Sequence, residues 1–153
     1  MTAPERKFTC EQYVPKPVEE VFAFFASEQN LERLTPPWLS FRVLGKSTPK
    51  IQAGTLIDYQ LNLSGIPLKW KTRIELWEPQ SRFVDNQLKG PYAKWHHTHL
   101  FKPHKNGTLV SDTVIYQLPL GRLGDFVAGW KVRRQVEEIF AYRRATIEEI
   151  FKA

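Results

Sequence analysis

A change of hydrophobic period near residue 120 constrains this chain more than any other feature. Over 55–63, Ile57, Tyr59, Leu61 and Leu63 alternate with Leu56, Asp58, Gln60 and Asn62. Over 68–77, Leu68, Trp70, Thr72, Ile74 and Leu76 alternate with Lys69, Lys71, Arg73 and Glu75, which puts Trp77 on the outer face with the cations. Period-two alternation means strands with one buried and one wetted face, hence an antiparallel sheet. Beyond Pro119 the period becomes helical, and Val132, Val136, Ile139, Phe140, Arg143, Ile147 and Ile150 mark one face over 130–151. A helix of about 22 residues spans roughly 33 Å, enough to lie across a whole sheet.

The remaining elements complete an α+β layer fold. Residues 8–14 read as a strand closed by Pro15 and Pro17. From Pro17, Val18, Val21, Phe22 and Phe25 give a first short helix an apolar stripe. Asn30 is placed to cap a second one over 31–34, which Pro36 and Pro37 must stop. Further strands are predicted at 39–44, 82–88, 94–102 and 108–118, with turn signals at 64–67, 78–81, 90–91 and 105–107. About seven strands, two short helices and one long helix in a single domain over 1–153 are expected.

Composition narrows the function classes. The single cysteine, Cys10, excludes a disulfide framework and multi-cysteine metal sites, and reads as a small apolar filler. The polar start has no secretory signal and the longest apolar run, 21–26, is too short to span a bilayer, so a cytoplasmic protein is expected. The net charge of +6 comes mainly from 66–105, where eight Lys/Arg face three Asp/Glu. Lys69, Lys71 and Arg73 form an outward row on one strand, best read as a solvated face and not as a nucleic-acid surface. Arg133, Arg134, Arg143 and Arg144 read as exposed ion-pair partners of glutamates at helical spacing. Trp38, Trp130, Phe22 and Phe25 read as core. No cofactor is expected.

The alternation also positions a candidate site. In the register that keeps apolar sets together, Phe101 faces Val110, His99 faces Asp112, His97 faces Val114 and Trp95 faces Tyr116. Across the preceding hairpin, Gln87 faces Trp95, Asp85 faces His97 and Phe83 faces His99. One sheet face then collects apolar walls around a few polar groups, the composition of a small-molecule pocket. The neighbours His97 with Asp85 and His99 with Asp112 admit three readings: mutual satisfaction of buried polar atoms, ligand recognition, or acid–base catalysis. Two imidazoles on one side of a strand, with Asp85 or Asp112, also have the donor types of a metal site. No cysteine assists and His96 points away, so no metal is expected.

Several stretches carry a family resemblance: NLERLTPP at 30–37, GIPL at 65–68, FVD at 83–85, GPY at 90–92, WHHTHLF at 95–101, Gly107-Thr108, Asp112, and YQLPLG at 116–121. With the element order, they resemble the START-like, or SRPBCC, superfamily of polyketide cyclases/dehydrases, lipid-transfer domains and pollen allergens, in particular a bacterial ligand-binding branch. The resemblance implies a helix-grip fold, in which a strongly bent antiparallel sheet wraps the C-terminal helix around a cavity. It implies binding of a hydrophobic or aromatic small molecule there. Tyr59, Asp85, Gln87, His97, His99, Asp112 and Tyr116 would orient it, and Trp70, Phe83, Trp95 and Phe101 would wall it. In such a fold Trp38, Leu39 and a glycine-rich loop over 121–129 would flank the mouth, the loop serving as a lid. The alternatives are a cyclase/dehydratase-type enzyme using a His–Asp pair, and an interaction module whose cavity has closed. The oligomeric state stays open.

Overall fold

In the computed structural model, which describes residues 2–152, β1 (Arg6–Val14) leads into two short helices, α1 (Val18–Phe25) and α2 (Glu28–Leu34). Met1 and Ala153, the ends of the expected domain, lie outside the described residues. A 3-10 turn (Pro37–Leu39) precedes β2 (Arg42–Lys46), β3 (Leu56–Leu63), β4 (Ile66–Glu78), β5 (Arg82–Lys89), β6 (Lys94–His104) and β7 (Gly107–Gln117). The chain ends in α3 (Gly121–Ile150), 30 residues or about 45 Å long. All seven strands form one antiparallel sheet in the order β1-β7-β6-β5-β4-β3-β2. Strands β2 to β7 follow one another as hairpins, and β1 alone crosses to pair with β7. This is the helix-grip architecture that the resemblance implies.

Helix α3 buries Val136, Phe140, Arg143 and Ile147 toward the sheet. Val136 and Phe140 pack with Val114, Tyr116 and Leu118. Ile147 joins Phe22, Phe83, Phe101 and Phe151, so α1 closes one end of the layer through an aromatic cluster. The Ser64-Gly65 turn holds both residues at positive φ, 51° and 80°, the geometry that closes a two-residue hairpin with the right twist. That lets β4 begin at Ile66, two residues before the alternation starts.

The structure corrects several expectations. Pro36 and Pro37 favour a helical turn start, and the segment at 37–39 is 3-10; the strand begins only at Arg42. Helix α2 starts at Glu28 behind Ser27, and Asn30 instead donates to the Phe24 carbonyl at 2.9 Å, bracing the α1–α2 junction. The 121–129 segment is no loop: it is the first third of α3. Two of its glycines serve close approach, since a Cβ at Gly124 would lie 2.2 Å from the Pro119 carbonyl oxygen and one at Gly129 2.7 Å from Arg6 Nη2. Trp38 and Trp130 are not core; they are 59% and 69% exposed.

Trp77 is the most consequential correction. The β4–β5 ladder pairs Ile74 with Asp85 but Leu76 with Val84, so β4 carries one extra residue between them. Such a bulge reverses the facing of everything beyond it. Trp77 therefore turns inward, with its ring centroid 5.2 Å from Phe22 and 5.1 Å from Phe83. The row of Lys69, Lys71 and Arg73 stays outside, with Lys71 3.7 Å from Asp58 and Arg73 2.8 Å from Glu75.

Candidate functional site

Strands β5, β6 and β7 set the site. Their register pairs Phe83 with His99 and Asp85 with His97, and on the other side His97 with Val114, His99 with Asp112, Trp95 with Tyr116 and Phe101 with Val110. The β5–β6 ladder ends at Asn86–His96, so the expected pairing of Gln87 with Trp95 does not form and Gln87 pairs only with Thr72 of β4. The alternation of these strands places His97 and His99 on the same inner face. Their rings stack with centroids 3.7 Å apart, and Phe83 stacks on His99 at 4.0 Å, giving a column of three rings.

The close polar pairs run diagonally to the ladder. His97 Nε2 lies 2.7 Å from Asp112 Oδ1, and His99 Nε2 lies 2.6 Å from Asp85 Oδ2. The directly opposed pairs are looser: His97 Nδ1 is 3.9 Å from Asp85 and His99 Nδ1 is 3.4 Å from Asp112. Arg143 completes the cluster from α3. Its Nη2 is 3.5 Å from His99 Nδ1 and 3.7 Å from Asp112 Oδ1, and its guanidinium lies 5.1 Å from the Phe25 ring centroid. Arg143 is only 7% exposed, which overturns its expected place among surface ion pairs. Arg144 keeps that role, 3.6 Å from Glu148.

Burial and partners together set the charge states. Burial pushes the Asp112 carboxyl up, but Arg143 and His97 outweigh it and hold it well below the usual carboxylate range. The Asp85 carboxyl is likewise lowered: burial opposes its ionisation, and the His99 hydrogen bond and nearby positive groups prevail. Burial, and then His97, pushes His99 down to about 4, against the pull of Asp85. His99 is therefore neutral at physiological pH. Its Nε2–H donates to Asp85, and Nδ1 is left to accept from Arg143, which can only donate. Burial, reinforced by Asp85, pushes the Tyr59 phenol well above its ordinary value, so its hydroxyl stays protonated.

Beside this cluster lies a cavity of about 150 Å³ between sheet and helices. Leu31, Leu34, Leu39, Phe41, Leu61 and Leu63 wall it from α2 through β3, and Ile139 and Phe140 from α3. Of the residues singled out in the sequence, Tyr59, Trp70, Asp85, Trp95, His97 and His99 line it. Phe83 lines a smaller space of about 40 Å³ with Trp77, Ile57 and Ile74. Four others lie elsewhere. Asp112 backs His97 and opens toward a groove between β1 and α3, Phe101 and Tyr116 are buried in the core clusters, and Gln87 folds onto its own turn. There the Gln87 amide donates to the Tyr92 carbonyl at 2.7 Å and accepts from the Tyr92 N–H at 3.2 Å. Gln87 thus fixes Tyr92, which lines the cavity against Trp70 and Trp95 with centroids 5.7 and 4.9 Å away.

A profile for the family described as polyketide cyclase / dehydrase and lipid transport matches residues 14–140. The chain belongs to this polyketide cyclase / dehydrase and lipid transport family. No curated protein matches it in sequence. Among solved structures, TTHA0849 from Thermus thermophilus is similar at 21% identity and a TM-score of 0.74, over 94% of this chain and 95% of that one. A Zhui aromatase/cyclase from a Streptomyces species is similar at 13% identity and a TM-score of 0.74, over 94% and 92%. Ara h 8.0201 is similar at 14% identity and a TM-score of 0.63, over 95% and 99%. At these identities the likeness is one of fold.

Within this member of the polyketide cyclase / dehydrase and lipid transport family, Asp85, His97 and His99 bring potential ligand atoms within 4.8 Å of one another. Their geometry weighs against one shared ion. A metal sits near the plane of each imidazole at about 2.1 Å from its nitrogen. Rings stacked 3.7 Å apart with planes 25° from parallel do not offer one such point. Arg143 adds a fixed positive charge beside one of these donors, with Nη2 3.5 Å from His99 Nδ1.

Two residues of this site escaped the alternation. Arg143 sits on the helical stripe with Phe140 and Ile147, and that position was the signal: a charge at a core-facing spacing is a buried charge seeking partners. Trp77 was hidden by the bulge, which leaves no mark in the pattern of residue types.

Proposed function

We propose that the cavity binds a compact, neutral hydrophobic molecule about the size of one aromatic ring, carrying one acceptor oxygen. The observation that carries this reading is the cavity itself: about 150 Å³ walled by leucines and aromatic rings, with His97, His99, Asp85 and Arg143 on the same lining. An apolar space of about that volume accommodates benzene. A packed interaction module would leave no such space.

The polar part of the lining supports the choice of ligand. Arg143 Nε is buried and has no hydrogen-bond partner among the described residues. A buried donor left unpaired costs about 1–3 kcal/mol, which an acceptor oxygen on the ligand would recover. With His99 neutral and the Asp85 and Asp112 carboxyls both held low, the cluster already carries two carboxylates, so a neutral carbonyl or phenol fits better than a third carboxylate. Calorimetric titration with acetophenone, ethylbenzene and benzoate tests this. Binding in the order acetophenone, ethylbenzene, benzoate is expected, and no heat from any of them at millimolar concentration would sink it.

A second reading has its own observation. His97 lines the cavity while Asp112 grips its Nε2 at 2.7 Å, the carboxylate–imidazole arrangement that supports proton transfer. Acid–base chemistry of a cyclase/dehydratase kind on a bound ketone would use that pair. Turnover of a β-ketone that disappears in His97→Gln, with binding retained, would establish it; equal turnover in His97→Gln would dismiss it.

A further inference from the structure

The first three turns of α3 display an apolar stripe to solvent. Leu120, Leu123, Phe126, Val127 and Trp130 are 86%, 72%, 82%, 65% and 69% exposed. Leu120 is the left-handed N-cap, and at 3.6 residues per turn the other four fall on one side of the helix, opposite Asp125 and Gly129. That side faces outward because the other is fixed. Arg6 holds Asp125 through two hydrogen bonds of 2.8 Å, and Gly129 packs so near Arg6 that a Cβ would meet Nη2 at 2.7 Å. Helix rotation cannot hide the stripe without breaking this clamp. An exposed apolar patch of this extent marks an interaction surface.

Charge identifies the occupant. On the helical wheel Lys131 borders one side of the stripe and Arg122 and Arg133 the other, while Arg134 continues the stripe's own line one turn on and pairs with Glu138 at 3.3 Å. The only acid within 119–136 is Asp125, already engaged by Arg6. An apolar stripe rimmed by cations matches a surface that is anionic outside and apolar just beneath, as a phospholipid leaflet is. A second copy would bring the same cations face to face on a chain of net charge +6. No helix among the described residues is long and apolar enough to cross a membrane, so contact would be peripheral. We propose that this face of α3 docks on an anionic phospholipid bilayer, lying in its interface with Phe126 and Trp130 as apolar anchors. The inference is independent of what the cavity holds.

Co-sedimentation of the full chain with phosphatidylcholine vesicles containing about 30% phosphatidylglycerol tests it. Partition is expected, with at least a ~10-fold loss on pure phosphatidylcholine and at about 0.5 M salt. The double variant Phe126→Glu, Trp130→Glu should lose at least ~10-fold, with an unchanged thermal melt because both side chains already face solvent. The pair Lys131→Glu, Arg133→Glu should lose binding to anionic vesicles specifically. No partition at millimolar lipid, equal binding by these variants, or equal binding to both vesicle types would overturn the proposal. A dimer in sedimentation equilibrium that Phe126→Glu, Trp130→Glu dissociates would overturn it too, and would assign the face to self-association.

Discussion

His97 donates to Asp112, the residue that the ladder places opposite His99. His99 in turn reaches Asp85, the residue opposite His97. Each imidazole therefore leans along its strand to the far carboxylate, and one network ties β5, β6 and β7 together before Arg143 joins it to α3. The polar groups act as a unit, so removing one leaves the others unpaired in a poorly solvated place.

Replacing Arg143 by methionine keeps the stem and deletes the cation. Asp112 then loses the largest influence holding its carboxyl low. Breaking a buried pair from one side costs about 3–5 kcal/mol. Urea denaturation at pH 7 should show a drop of that order for Arg143→Met, and a loss under about 1 kcal/mol would mean that Asp112 is satisfied without it.

Acid should unfold the protein in a characteristic window. His99 is held neutral down to about 4 in the fold, against an ordinary value of 6.5. The unfolded chain thus binds a proton that the native state refuses, and stability falls as pH drops from about 6.5 to about 4, by up to about 3 kcal/mol. The lowered carboxyls of Asp85 and Asp112 act in the same direction at still lower pH, since their contribution is present above the ordinary carboxylate value and lost below it. Histidine resonances followed by NMR should show one ring still neutral at pH 5. Titration of every ring near 6.5 would refute the assignment.

Filling the cavity should separate binding from folding. Leu61 is 5% exposed and lines the space. Leu61→Phe adds volume where volume is free, so the melt should shift by less than about 1.5 kcal/mol. Affinity for acetophenone should fall at least ~10-fold, and unchanged affinity would place the ligand elsewhere.

The bulge in β4 makes a prediction about two adjacent residues. Trp77 packs against Phe22 and Phe83, whereas Leu76 points to the other side of the sheet. Trp77→Ala should cost about 3 kcal/mol, clearly more than Leu76→Ala. The reverse order, read from matched denaturation curves, would place the bulge elsewhere.

The alternation carried the sheet, its register and the inward set Phe83, Asp85, His97 and His99, because period two is local and strong. It did not carry the diagonal pairing, which depends on how side chains lean. Trp77 was misplaced because one inserted residue reverses facing without altering composition. The start of α3 was missed because Gly121, Gly124 and Gly129 read as flexibility, when two of them serve contacts with Pro119 and Arg6 that only the folded chain creates. Gln87 and Tyr92 show a similar limit: the sequence singled out the amide, while the fold uses it to hold the ring.

The strand order has a bearing on how this protein comes to be folded. Strand β1 pairs with β7, matching Arg6 to Tyr116 and Val14 to Thr108. The first strand made therefore waits for the last one, while β2 to β7 can zip as successive hairpins. Closing a loop of that length is an entropic barrier met once, late, and by a single strand. Until that pairing forms Asp125 has no Arg6 to hold it and the outer edge of β7 is bare, so the contact that completes the sheet also clamps the start of α3.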